Sequence, residues 1–77
     1  MSDVERRIKE VVARTLKVDV GRIGDSARFV EDLGAESIQS VELVAAFEEE
    51  FDIEMDEEEA LDVKTVGKAI EFVEKML

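Results

Sequence analysis

The sequence predicts an all-α fold: a small helical bundle of three main helices plus one short helix, with a long ordered loop between helices 1 and 2. Three observations carry this. Apolar residues recur at helical spacing in three separate stretches. No segment alternates apolar and polar residues as a half-buried strand does. The stretch between the first two periodic segments loses its period but keeps Val18, Val20, Ile23, Phe29, Val30 and Leu33, too many large apolar side chains for a solvated linker.

The first helix is expected over about residues 3–16, opened by Ser2-x-x-Glu5 in the pattern of a capping box. Val4, Ile8, Val11, Val12, Thr15 and Leu16 form its inner face, and Glu5, Arg6, Lys9, Glu10 and Arg14 its solvated one. Gly21, Gly24 and Gly34, with Asp25-Ser26, break residues 17–36 into a loop lying on the core, with room for one short helical turn. A second helix follows from Ser37, an N-cap residue by type, to Phe51. Glu57 to Leu61 suits a short helix. Thr65 is placed to cap a last one over about residues 66–76, with Val66, Ala69, Ile70, Val73 and Leu77 on one face.

The second helix has two apolar faces. Leu43, Val44, Phe47 and Phe51 lie together, as a core face would. Ile38, Val41 and Ala45 point nearly the opposite way, flanked by Glu42, Glu48 and Glu49. Two readings of this outer stripe stand. It is a partner site, or its residues either contact the long loop or are ordinary scattered surface apolars.

Composition removes whole classes of function. With 77 residues the chain is one domain, residues 1–77, with a limited core. It has no cysteine and no histidine, so disulfides, a Cys nucleophile, a Ser-His-Asp triad and a Cys/His zinc site are all excluded. No apolar run approaches the roughly 18–20 residues of a membrane span, and Met1 to Glu10 lacks the apolar stretch of a signal peptide. A cytoplasmic protein is expected.

The net charge of −11 is unevenly spread. Residues 29–63 hold fourteen Asp and Glu and no Lys or Arg, while the flanking segments are slightly basic. Such a block repels nucleic acid and anionic membranes and attracts basic partner proteins. Asp52-x-Glu54-x-Asp56 starts like a calcium loop. However, Glu57 and Val63 stand where that loop needs Gly and Glu, so no specific metal site is expected. A paired-carboxylate catalytic site is not expected either, because these acids sit on a solvated face of a domain too small for a deep cleft.

Ser37 stands in Phe29-Val30-Glu31-Asp32-Leu33-Gly34-Ala35-Glu36-Ser37-Ile38, followed by Val41-Glu42-Leu43-Val44 and Glu48-Glu49-Glu50-Phe51-Asp52. This pattern resembles the acyl carrier protein family, and the resemblance runs over essentially the whole chain. It implies a non-catalytic carrier. Ser37 aligns with the family's modified serine and would bear 4'-phosphopantetheine, taken from coenzyme A. The arm's thiol would supply the reactive sulfur the chain lacks, and acyl groups would ride on it as thioesters. The apolar interior would shelter a growing chain.

The implied partners are a phosphopantetheinyl transferase and acyl-transferring, condensing and reducing enzymes with basic docking surfaces, met by a monomer. The docking surface would be Glu36, Ile38, Val41, Glu42, Ala45, Glu48 and Glu49. The sequence departs from the family pattern at Glu36 (Asp in the family), Ile38 (Leu), Gln39 (often acidic), Ala45 (often larger) and Asp56 (often Pro). Those departures favour a dedicated carrier in a particular lipid or secondary-metabolite pathway. Two other readings remain: a free-standing carrier of polyketide, aminoacyl or peptidyl units, and an unmodified acidic interaction module in which Ser37 is only a cap.

Overall fold

A computed structural model describes residues 3–77. The Ser2 half of the expected capping box lies outside the described residues. The chain forms α1 (Asp3–Leu16), a 3-10 turn (Val20–Arg22), α2 (Ser37–Phe51), α3 (Glu57–Leu61) and α4 (Val66–Met76), and no β-strand among the described residues. The expected bundle is therefore present, with its loop between the first two helices.

Ile8, Val11, Val12 and Leu16 from α1, Leu43, Phe47 and Phe51 from α2, and Val66, Ala69, Ile70 and Val73 from α4 build the core. Each set recurs at three- and four-residue spacing, so one side of each helix is apolar and packs inward. Val4 and Val44 are only partly buried. Leu77 differs from expectation: α4 ends at Met76, and Leu77, beyond the last turn, is 63% exposed.

The long loop is fixed to this core. Ile23, Phe29, Leu33 and Ala35 are buried. The Phe29 amide donates to the Lys64 carbonyl at 3.0 Å, the Val66 amide to Ala27 at 3.0 Å and the Gly67 amide to Asp25 at 2.7 Å. The loop thus runs along the connection into α4 and satisfies first-turn amides that the helix itself leaves unpaired. A Cβ at position 67 would stand 2.9 Å from the Asp25 carbonyl oxygen, so this approach requires glycine. Gly34, at φ 73°, turns the chain out of the loop just before α2.

Thr65 caps α4 as expected, its hydroxyl accepting from the Lys68 amide at 3.2 Å. Asp56 caps α3 through the Glu59 amide at 3.2 Å. The outer face of α1 is not wholly free in solvent. Lys9 reaches Asp25 of the loop at 2.9 Å, and Arg7 reaches Glu50 of α2 at 2.8 Å.

Candidate functional site

The start of α2 differs from the sequence reading at one position. The N-cap is Glu36, in extended conformation, and Ser37 is the first residue of the helix. The cause is local. Gln39 folds its side-chain oxygen back onto the Glu36 amide at 2.9 Å, which makes Glu36 the half-in residue. Ser37 is exposed, and among the described residues no hydrogen bond holds its hydroxyl. A serine spent on capping would have its oxygen occupied by a backbone amide; this one is available. It also sits at the positive end of the dipole of a 15-residue helix, where a phosphodiester is favoured.

Below this end lies an apolar cavity of about 60 Å³. Ser40, Leu43, Val44 and Phe47 of α2 form one wall, and Phe29, Val30 and Glu31 of the loop another. Met55, Ala60, Leu61 and Val63 close it from the α3 side. The cavity was not visible in the sequence as a space. The half-burial of Val44, on the core face of α2 yet short of full packing, is its trace.

The outer stripe of α2 faces solvent. Ile38 is 69% exposed and Val41 49%, and Ala45, Glu36, Glu42 and Glu49 are exposed with them. The loop does not cover this stripe. Glu48 differs from its expected neighbours. It is half-buried, and its carboxylate accepts the Met55 amide at 2.8 Å, bracing the connection into α3 from inside the protein.

Among the described residues there is no group of His, Cys, Asp or Glu arranged to hold a metal. None of their helices is long and apolar enough to cross a membrane.

Fold and site together define a small helical carrier: an available hydroxyl at a helix start, above an apolar cavity and beside an exposed acidic–apolar helix face. The family model described as "Phosphopantetheine attachment site" matches residues 6–73. The chain is 47% identical over 75 residues to the acyl carrier protein of Sinorhizobium fredii (strain NBRC 101917 / NGR234), covering 97% of this chain and 96% of that one. It is equally similar, over the same shares, to the acyl carrier protein AcpP of Rhizobium meliloti (strain 1021). The chain belongs to the acyl carrier protein family, whose members hold acyl groups on covalently attached 4'-phosphopantetheine. That family consists of non-catalytic carriers that work with a phosphopantetheinyl transferase and enzymes of synthesis.

Proposed function

We propose that Ser37 bears the phosphopantetheine arm and that residues 1–77 act as one carrier domain without catalytic activity of its own. The observation that carries this reading is the free, exposed Ser37 hydroxyl at the first position of α2. In modification, that oxygen attacks the β-phosphate of coenzyme A, a phosphodiester forms, and adenosine 3',5'-bisphosphate leaves. The hydroxyl proton passes to the transferase. When bound, the arm supplies a thiol able to form thioesters. The residues of the chain do the rest. The α2 start receives the phosphodiester, the apolar cavity takes in the acyl tail, and the α2 face meets the next enzyme.

Docking falls to Glu36, Ile38, Val41, Glu42, Ala45 and Glu49, which together offer apolar contact ringed by carboxylates to a basic enzyme surface. The engaged carboxylate of Glu48 supports a bracing role for that residue instead. The protein acts as a cytoplasmic monomer that shuttles between partners. Glu36 and Ile38 stand at the edge of Ser37, where a transferase must read the protein, and their side chains suit a carrier dedicated to one pathway.

The test is intact-mass measurement after incubation with a transferase and acyl-coenzyme A. Wild type should gain one acyl-phosphopantetheine, and Ser37→Ala none, with its fold intact because Ser37 caps nothing. Equal gain in both proteins would refute the assignment.

A further inference from the structure

Two neighbouring residues compete to cap α2. Serine is among the preferred N-cap residues and glutamate is not. By residue type the helix should therefore begin with Ser37 as its cap, the hydroxyl accepting the Gln39 or Ser40 backbone amide. In the structure Glu36 is the cap instead. Its backbone is held on both sides. The Glu36 amide donates to the Gln39 side-chain oxygen at 2.9 Å, and the Glu36 carbonyl accepts from the Ser40 amide at 3.0 Å. The second bond takes up one of the donors that a cap at Ser37 would use. The Ser40 hydroxyl also reaches the Glu36 carbonyl, but at 3.5 Å it adds little.

We propose that Gln39 is a positioning residue for the modification: by fixing Glu36 as the cap, it keeps the Ser37 oxygen free to act as the nucleophile. This rests on the reading that Ser37 carries the arm. A capping serine has extended backbone, turns its hydroxyl over the first turn and shares its oxygen with an amide. All of that must be undone before the oxygen can attack the β-phosphate of coenzyme A, displace adenosine 3',5'-bisphosphate and give its proton to the transferase. With Gln39 in place the oxygen starts out unengaged, and its residue already has helical backbone.

The side chain at position 39 should then matter for what it accepts. Gln39→Ala removes the acceptor while keeping a good helix former. The preferred cap takes over, and α2 begins one residue later with the Ser37 hydroxyl engaged. Gln39→Glu keeps an oxygen at the same reach, and a capping box accepts either residue. Glu36→Asn supplies a cap side chain of its own at position 36 and makes Gln39 dispensable for this purpose.

The experiment has two parts. The first needs no transferase: the Ser37 Cα and Cβ chemical shifts, measured by NMR on the unmodified protein, report whether its backbone is helical or extended. They should be helical in wild type and Gln39→Glu and extended in Gln39→Ala. The second measures modification by a transferase with coenzyme A. Gln39→Ala should lose about fivefold in kcat, the scale of one cap hydrogen bond, with KM nearly unchanged. Gln39→Glu should keep at least half of the wild-type kcat. In a Glu36→Asn background, Gln39→Ala should change kcat by less than twofold, because the two positions act through one cap. Helical Ser37 shifts in Gln39→Ala, a loss carried by KM, a Gln39→Glu variant as slow as Gln39→Ala, or an equal loss in the Glu36→Asn background overturns the inference and leaves Ser37 standing. Absence of any mass gain in wild type overturns the Ser37 assignment and this inference with it.

Discussion

Arg7 of α1 and Glu50 of α2 tie the two longest helices together. The Arg7 Nε donates to Glu50 Oε2 at 2.8 Å, a second guanidinium nitrogen donates to the Glu50 carbonyl, and the guanidinium carbon lies 4.5 Å from the centre of the Phe51 ring. The planar fork makes all three contacts at once, which an ammonium cannot. Both side chains are about a third exposed, so the ion pair is partly screened.

Arg7→Ala should therefore cost about 1–2 kcal/mol, most of it from the lost carbonyl bond and ring contact. In a chain of this size that lowers Tm by about 5–10 °C. Arg7→Lys should recover less than half of the loss. Thermal melting of the three proteins at one salt concentration checks this, and a Lys variant equal to wild type would contradict it.

Gly67 gives an inverted propensity test. Alanine in a helix is ordinarily better than glycine by about 1 kcal/mol. Here its Cβ would press on the Asp25 carbonyl that the Gly67 amide itself binds. Gly67→Ala should destabilise by about 1–3 kcal/mol through overpacking. Gly24→Ala, with nothing within 4 Å of the added carbon, should be neutral or slightly stabilising. Urea denaturation distinguishes the two.

Much of this architecture could be read in the sequence. The helices could, because each buries one face, and a buried face writes its period into the residues. The loop's path could not. Its contacts with residues 64–67 are backbone hydrogen bonds, which select almost no side chains, and only glycine at position 67 marks the crossing. At the site, it is the motif around Ser37 that singles this residue out as the candidate. Its place as first helical residue depended on Gln39 reaching back to Glu36, a choice that residue type alone does not make. Position on the helix places Glu48 with the docking acids, and its turn toward Met55 depends on how the chain returns after Phe51.

Asp32 gives stability a pH dependence. Hydrogen bonds from the Arg28 side chain and backbone amide hold its carboxyl below the ordinary carboxylate range. A group with a depressed folded pKa contributes stability above its ordinary value, and that contribution is lost as pH falls through the folded value. Asp32→Asn should be less stable than wild type at neutral pH. The difference should close well below pH 3.8, where the wild-type carboxyl is protonated too. Urea unfolding at both pH values measures it, and a gap that persists in acid would contradict the charge-based account.

The acids of α2 should separate by role. Glu48→Ala leaves the Met55 amide without its acceptor and should cost about 1–2 kcal/mol of stability. Glu42→Ala and Glu49→Ala should change stability by less than about 0.5 kcal/mol. Each should lower transferase kcat/KM by about two- to fivefold, the scale of an exposed ion pair. In the same assay Glu36→Asp with Ile38→Leu should raise kcat/KM for a general fatty-acid transferase. Unchanged rates there would remove the support for a dedicated pathway.

The phosphopantetheine arm is held by one covalent bond, and peptide mapping locates it directly. Cleavage after glutamate releases residues 37–42, Ser-Ile-Gln-Ser-Val-Glu, which holds both serines of α2. Fragmentation of this peptide, taken from protein treated with a transferase and coenzyme A, should place the phosphopantetheine mass on Ser37 and leave Ser40 unmodified. The mass on Ser40, on a peptide from elsewhere in the chain, or on none with several transferases would contradict the assignment.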